Sequence, residues 1–168
     1  MKKLIAFVLV AVLLLQALPM AGAANDAERE GPDRSGQFIV VKTVFLLDSN
    51  GSSPNIIMTL SPGAQVTGAI NYWNRTSSNL IQVTYGSYTG YVIQNCICPK
   101  NKCYKVTNAS GTELWKNAGG SGVTFGSLNY GTYLYRESIV SGWYKVYPMT
   151  GAYTGFGGFV SPSDVSAC

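Results

Sequence analysis

Apolar residues alternate with polar ones along most of the chain after residue 36. Ile81, Val83 and Tyr85 are separated by polar residues, and this period of two predicts a strand with one buried face. Two later stretches repeat the period, at Tyr133 and Tyr135 and at Tyr144 and Val146. Beyond the first two dozen residues, no stretch carries apolar residues at helical spacing over three turns. The pattern therefore predicts an all-β fold.

Two segments share a short motif in the same order, which indicates an internal repeat. The copies are Tyr88-Thr89-Gly90-Tyr91-Val92 and Tyr153-Thr154-Gly155-Phe156, and a glycine turn precedes each, at Gly63 and Gly131. The two turn glycines are 68 positions apart, whereas Gly90 and Gly155 are 65 apart. We attribute the difference to a longer loop in the first copy, because loops absorb length changes at little cost.

These features divide the chain into five predicted segments. They are an export signal over 1–23, a flexible leader over 24–36, a first β unit over 37–95, a cysteine-bearing joint over 96–102 and a second β unit over 103–168. The leader is predicted to be flexible because its polar residues cannot bury enough surface to offset the entropy of ordering them.

The first segment has the charge, length and cleavage pattern of a secretory signal peptide. Lys2 and Lys3 precede an almost wholly apolar run over 4–18, and the small residues Ala21, Gly22 and Ala23 follow. An uncleaved membrane anchor is the alternative. Cleavage would leave a protein without a membrane span, secreted to the extracellular space, the cell surface or the periplasm.

The charge of the chain does not indicate a nucleic-acid partner. Its formal net charge is +4, and this becomes +2 when Lys2 and Lys3 leave with the signal. A concentrated basic face would be expected for nucleic acid. Lys100, Lys102 and Lys105 do cluster, and we interpret them as a solvated loop, with a polyanion site as the alternative.

All four cysteines lie after residue 95, at Cys96, Cys98, Cys103 and Cys168. An even number of cysteines in an exported chain predicts two disulfides. A bond between Cys96 and Cys98 would close a very tight ring. We therefore expect one of these two to bond Cys103 and the other Cys168. A four-thiolate zinc site is the alternative, although the chain lacks a CxxC pair.

The chain offers little for catalysis. It contains no histidine, which excludes Ser/His/Asp and Cys/His catalytic arrangements and histidine metal ligands. Beyond the leader its carboxylates are Asp48, Glu113, Glu137 and Asp164. A small hydrolase using Glu113 and Glu137 would need the pair about 5–10 Å apart across a cleft. We expect no enzyme activity, no cofactor and no metal.

Aromatic side chains are the strongest candidates for ligand contact. Tyrosine and tryptophan offer a large contact area together with a polar tip, although many of them also serve as core or cross-strand residues. Our candidate ligand-binding residues are Trp73, Tyr88, Tyr91, Tyr133, Trp143 and Tyr153. Trp73 is the best single candidate because it lies in the extra loop of the first unit.

The motifs of the second unit resemble the bacterial SH3-like (SH3b) domain family. The matching runs are Gly131-Thr132, Gly142-Trp143-Tyr144-Lys145-Val146 and Tyr153-Thr154-Gly155-Phe156. The first unit matches more weakly, through Pro62-Gly63-Ala64, Ile81-Gln82-Val83 and Tyr88-Thr89-Gly90-Tyr91-Val92. The resemblance implies two small SH3-like β-barrels in tandem and a cell-wall peptide or glycan as the ligand.

The sequence thus predicts a secreted, non-catalytic binding module that engages a cell-wall polymer through aromatic grooves. Two weak sites on one polymer would reinforce each other through effective concentration. The alternative is a secreted interaction or inhibitor domain that docks an extracellular protein with the same aromatic residues.

Overall fold

The computed structural model of the chain describes residues 36–69 and 72–168. The predicted export signal over 1–23, and all of the predicted leader except Gly36, lie outside the described residues. Within the described part, no helix is long and apolar enough to cross a membrane.

In the described part of the chain, fourteen antiparallel strands form two sheets of seven strands each. The first sheet contains β1 (Gln37–Val40), β2 (Val44–Leu47), β3 (Ile56–Leu60), β4 (Gln65–Gly68), β5 (Leu80–Tyr85), β6 (Tyr88–Ile93) and β7 (Ile97–Pro99). The second contains β8 (Cys103–Val106), β9 (Thr112–Trp115), β10 (Thr124–Leu128), β11 (Tyr133–Val140), β12 (Trp143–Pro148), β13 (Gly158–Val160) and β14 (Val165–Ala167). The all-β prediction is confirmed.

The two sheets have the same topology. Their strand orders are β3-β2-β6-β5-β4-β1-β7 and β10-β9-β13-β12-β11-β8-β14, so each strand of the second sheet lies seven later than its counterpart. In neither sheet does a pairing of described residues join the two outermost strands. The expected closed barrels are therefore not seen as continuous rings of strand pairing.

Equivalent turns show that the repeat is built from matching backbone contacts. The Gly63 N–H donates to the Val40 carbonyl at 2.8 Å, and the Gly131 N–H donates to the Val106 carbonyl at 2.9 Å. Gly63 and Gly131 have φ angles of 95° and 83°, a region that favours glycine. The predicted equivalence of these two turns is confirmed.

The second predicted equivalence, between Gly90 and Gly155, is wrong. The structural counterpart of Gly90 is Gly158: Gly90 pairs with Val83, and Gly158 pairs with Val146. Each glycine also lies against the same strand of its sheet, Gly90 against Leu46 of β2 and Gly158 against Leu114 of β9. Gly155 instead has open space where a Cβ would lie. The repeat distance is thus 68 at both ends of the unit.

Two length differences that cancel explain this error. The first unit has the longer connection before its fifth strand, between Gly68 and Leu80, whereas β11 and β12 are joined by a tight turn at Ser141 and Gly142. The second unit has the longer connection after its fifth strand, from Met149 to Gly157, where the first has a tight turn at Gly86. The Thr-Gly motif of the second unit lies within this longer connection.

Each sheet buries its own apolar cluster. The first cluster includes Phe38, Leu46, Leu60, Val66, Val83, Val92 and Ile97. The second consists of Val106, Leu114, Leu128, Leu134, Val146, Val160 and Val165. Burying one such side chain contributes about 1.5–3 kcal/mol, so each cluster stabilises its unit by several side chains of this size.

A third buried cluster joins the two sheets. It contains Ile39, Val41, Cys98, Cys103, Tyr133 and Met149, which come from both units. The segment over 96–102, predicted as a joint, contributes to it through β7, which pairs with β1 at Cys98 and Ile39. This segment is therefore the edge strand of the first sheet as well as the link to the second.

Candidate functional site

Trp73 is held in the joint between the units. Its ring nitrogen donates hydrogen bonds to the carbonyls of Gln94 at 3.0 Å and Ile97 at 3.1 Å. Its ring contacts Phe38 of the first unit at 6.4 Å and Tyr135 of the second at 5.4 Å, measured between centroids. With its N–H bonded and its ring in contact with both units, Trp73 acts as a structural anchor. The structure does not support our choice of it as the best ligand contact.

Tyr133 also lies at the joint. It is 8% exposed, belongs to the third cluster and pairs with Lys105 across the strands. Burial raises the pKa of its hydroxyl, and the neighbouring Cys168 and Cys103 raise it further. Its position favours a packing role.

The two candidate residues of β6 lie apart from the joint. Tyr88 is 49% exposed and pairs with Tyr85 next to the turn at Gly86. Tyr91 is half-buried and pairs with Gln82 on one side and Leu47 on the other. They offer contact area, but they are not joined to the remaining candidates in one groove.

Tyr153 belongs to a group that we call the aromatic patch, made of Phe125, Tyr153 and Phe156. The ring of Phe156 lies 5.6 Å from that of Phe125 and 6.5 Å from that of Tyr153. The Tyr153 hydroxyl occupies the space beside Gly126, whose φ of 139° also excludes a larger residue. Phe156 is 51% exposed, and the Lys116 ammonium lies 5.2 Å from the centre of the Phe125 ring.

Trp143 contributes to a cavity of about 270 Å³ that we call the tryptophan groove. Its lining residues are Ser110, Gly111, Thr112, Glu113, Trp115, Ser127, Trp143, Ser161 and Asp164. They come from β9 and the two residues before it, from β10, from the start of β12, and from the 3-10 turn Pro162–Asp164 with the residue before it. The Trp143 ring fits against Gly120, where a Cβ would lie 2.6 Å from it. Two indole rings thus flank a set of hydroxyl and carboxylate groups.

Hydrogen bonds hold both carboxylates of this groove in place. Asp164 accepts from the Thr112 hydroxyl at 2.7 Å and from the Asn108 amide at 3.2 Å. Glu113 accepts from the Ser127 hydroxyl on the neighbouring strand. A carboxylate has about four lone-pair sites, so each retains capacity to accept from a ligand hydroxyl.

A second cavity lies between the two units, and we call it the inter-unit cleft. Its volume is about 260 Å³. The first unit supplies Lys42, Arg75, Thr76 and Asn95, and the second supplies Tyr147, Pro148, Met149, Thr154 and Gly155. The Arg75 guanidinium carbon lies 3.7 Å from the centre of the Tyr147 ring, a cation–π contact that crosses the joint.

The structure gathers three of the four cysteines. The sulfurs of Cys103 and Cys168 are 2.8 Å apart, and Cys98 contacts Cys103. Cys96 instead belongs to the core cluster of the first sheet. The pairing we expected needs Cys96 as a partner, and this placement does not support it; Cys103 and Cys168 are the pair placed for a bond.

These thiols affect each other's protonation. The Cys168 contact lowers the pKa of Cys103, but hydrogen bonding with Cys98 and burial outweigh it and raise that pKa well above its usual value. Hydrogen bonding with Cys103, and then burial, raise the pKa of Cys168. Both groups are therefore protonated near neutral pH in the reduced protein. Within the described residues, no three His, Cys, Asp or Glu side chains are arranged to hold a metal ion.

Comparison with known proteins gives a limited result. No protein-family model and no curated protein matches the chain. Among solved structures, it is similar to NlpC2 and NlpC1 from Trichomonas vaginalis, each at 10% sequence identity over 79% of this chain, with TM-scores of 0.32 and 0.31. The chain spans about half the length of these proteins, 48% and 46%. Similarity at this level carries no inference about activity or ligand.

Proposed function

We propose that this chain is a secreted, non-catalytic binding module with two SH3b-type units, and that it engages a cell-wall glycan through the tryptophan groove. The observation that carries the proposal is the pairing of Trp115 and Trp143 with fixed carboxylates in one cavity. Indole rings can cover the apolar face of a sugar, while carboxylates accept hydrogen bonds from its hydroxyls. A few placed polar groups in an aromatic cavity are typical of a ligand site.

The positions of Glu113 and Glu137 count against the hydrolase that we considered for this pair. Glu113 and Glu137 lie on β9 and β11, which are separated by two strands in the sheet. Three strand spacings amount to about 14 Å, which exceeds the separation that two-carboxylate glycosidases use. Glu137 also forms an ion pair with Lys145 at 2.6 Å. The pair that we considered for a small hydrolase therefore does not share a cleft.

Secretion rests on the sequence pattern of residues 1–23. The proposed mechanism uses one groove, whereas the sequence predicted aromatic grooves in both units. In the first sheet, the positions equivalent to Glu113 and Trp115 are Phe45 and Leu47, so the same polar groove is absent there. One glycan site in the second unit is the proposal.

Binding to cell-wall material tests it. The chain without residues 1–23 is mixed with purified bacterial peptidoglycan and with glycan strands stripped of their peptides, and the bound fraction is measured by sedimentation. Trp143→Ala and Trp115→Ala should weaken binding to both by about tenfold or more, because buried tryptophans dominate binding energy at such sites. Phe156→Ser is the matched control outside the groove and should bind as the parent does.

Three outcomes would contradict the proposal. The first is no retention of the parent protein by either polymer, and the second is equal retention of tryptophan variants that remain folded by near-ultraviolet circular dichroism. Retention by whole peptidoglycan but not by stripped strands would also overturn the glycan assignment.

A protein partner is the second candidate function, favoured by the aromatic patch. Phe156 and Val123 are 51% and 60% exposed, and Lys116 lies beside Phe125. Exposed aromatic side chains with a neighbouring cation are typical of protein interfaces. Loss of partner capture from secreted proteins in Phe156→Ser, with capture retained in Trp143→Ala, would select this alternative.

A further inference from the structure

The inter-unit cleft has an unbalanced positive charge. Lys42 and Arg75 line it, and no aspartate or glutamate is among its lining residues. Within 36–69 and 72–168, eight lysines and arginines face four carboxylates, and each carboxylate is engaged outside the cleft. Their partners are Asn55 for Asp48, Ser127 for Glu113, Lys145 for Glu137 and Thr112 for Asp164. The described part of the chain therefore supplies no anion to the cleft.

The contacts of Arg75 fix the position of its guanidinium in the cleft. Its guanidinium carbon lies 3.7 Å from the centre of the Tyr147 ring, so the ring covers one face of the group. The edge of the guanidinium stays accessible to a ligand. That edge carries the N–H donors that bind a carboxylate in a two-point fashion. Because Asn74 is anchored by its N–H to the Gln94 side chain at 2.7 Å, the backbone beside Arg75 is fixed.

Lys42 supplies the second positive charge of the cleft. Its N–H donates to the Cys96 carbonyl at 3.3 Å. Burial raises the pKa of Cys96, and the Lys42 ammonium partly opposes that rise, which places the charge near Cys96 and Asn95. The Asn95 side-chain oxygen accepts from the Cys96 thiol at 3.4 Å, so its amide N–H₂ remains as a further donor.

The rest of the cleft sets the size of the ligand. Pro148 and Met149 form an apolar wall, and Thr154 and Gly155 form an edge from the second unit. A volume of about 260 Å³ lies just below the usual range of small-molecule sites, about 300–1,000 Å³. It accommodates one or two amino-acid residues.

We infer that the inter-unit cleft binds a short peptide segment through a carboxylate, with Arg75 making the two-point contact and Lys42 the second charge contact. The carboxylate could belong to a chain terminus or to an acidic side chain, which share this chemistry. The site is separate from the tryptophan groove and does not depend on the glycan proposal.

Titration calorimetry with small peptides at low salt tests this inference. N-acetyl-alanyl-alanine carries a terminal carboxylate, N-acetyl-glutamyl-alanine amide a side-chain carboxylate, and N-acetyl-alanyl-alanine amide neither. At least one of the two acids should bind, and the neutral peptide should bind at least about tenfold more weakly, because charge-assisted pairs are the stronger ones. The acid that binds more tightly identifies the source of the carboxylate.

Single substitutions test the contribution of each residue to binding. Arg75→Gln should weaken acid binding by about tenfold, Arg75→Lys should give an intermediate loss, and Lys42→Gln should weaken binding several-fold. Lys116→Gln removes a charge of the same sign elsewhere and should leave binding unchanged. Trp143→Ala should also leave it unchanged, which separates this site from the groove.

Three results would overturn the inference. Equal binding of the neutral peptide would remove the role of the carboxylate. Unchanged binding by a folded Arg75→Gln protein would remove the role of the cleft. Inorganic phosphate binding more tightly than both acids would show a general anion site rather than a peptide site.

Discussion

The two units share one strand order, yet their outward surfaces differ. The first unit has Phe45 and Leu47 where the second has Glu113 and Trp115. The second set lines the tryptophan groove, whereas Phe45 is an apolar side chain that is 52% exposed. Backbone pairing does not depend on these side chains, so a duplicated sheet can keep its fold while one copy acquires a polar site.

The interiors differ at one equivalent position as well. Gly68 pairs with Val83 in the first unit, and Arg136 pairs with Val146 in the second. Arg136 is 7% exposed, and its guanidinium lies 4.8 Å from the Tyr104 ring and 5.2 Å from the Tyr144 ring. The second unit thus buries a charge between aromatic rings where the first has only backbone.

Trp73→Ala should have the largest effect on stability, because the first unit's long connection is fixed by this side chain. Removing it takes away two ring contacts and the indole donor to the Ile97 carbonyl, whereas the Gln94 carbonyl still accepts from the Ile97 N–H. The free energy of unfolding should fall by about 3–5 kcal/mol, as for other large-to-small aromatic changes. Urea denaturation measures it. A loss no greater than that of Trp143→Ala would contradict the anchoring role.

The cysteines test the joint between the units. We expect Cys103 and Cys168 to be the linked pair in the oxidised protein, and peptide mapping without reductant would identify it. Cys168→Ser should then lower the free energy of unfolding by about 3–4 kcal/mol under oxidising conditions. Cys96→Ala should leave the map unchanged. A map with Cys96 in a disulfide would contradict this arrangement.

The same pair predicts a pH dependence in the reduced protein. Because the pKa values of Cys103 and Cys168 are raised in the fold, the folded state holds their protons more tightly than the unfolded state. Their contribution to stability is complete below the unfolded thiol pKa and is lost as pH rises toward the folded values. Thiol labelling at these two sites should be slow at neutral pH and should accelerate in alkali. Rapid labelling near pH 7 would contradict the raised values.

Glycine substitutions test the corrected alignment of the units. A Cβ on Gly158 would lie 2.7 Å from the Leu114 side chain and 2.8 Å from the Trp115 carbonyl, and one on Gly90 would collide with the Leu47 carbonyl. Gly90→Ala and Gly158→Ala should each cost about 1–3 kcal/mol. Gly155→Ala meets open space and should cost about 1 kcal/mol for its φ of 89° alone. Equal losses at Gly90 and Gly155, with Gly158 tolerant, would restore the alignment read from the motif.

The smallest expected effect concerns a charge pair found only in the second unit. Lys145 and Glu137 form an ion pair with side chains 38% and 39% exposed, and hydrogen bonding to Glu137 raises the pKa of Lys145. The first unit has the uncharged Gln82 opposite Tyr91 where the second has Lys145 opposite Phe159. Glu137→Gln should change the free energy of unfolding by about 0.5 kcal/mol or less, since solvent screens the pair. A loss above about 1 kcal/mol would contradict this.

Local pattern predicted the strands well because the alternation of apolar residues directly reflects burial. Ile81 and Val83 are buried on one face of β5, and Gly63 and Gly131 occupy turns that demand a positive φ. The Thr-Gly motif gave the wrong alignment because identical residues were matched, rather than the buried apolar positions of the paired strands. Register aligns Val92 with Val160, whereas the motif aligned Tyr91 with Phe156.

The sites were harder to predict because they form only when strands and units pack. Trp143 was a predicted candidate, and the groove does contain it, but Trp115 and Asp164 reach the groove from separate elements. Lys42 and Arg75 both belong to the first unit, but the cleft that they line forms only because the third cluster joins this unit to the second. Trp73 was chosen as a ligand contact because nothing in the local sequence shows that its ring packs against the second unit.

The two long connections, one from each unit, both contribute residues to the inter-unit cleft. Arg75 comes from the connection before β5, and Thr154 and Gly155 come from the connection after β12. Loops tolerate insertion and deletion far better than strands do. A change in the length of either loop could therefore alter the ligand that the inter-unit cleft recognises. The strand pairing of the two sheets would be unaffected.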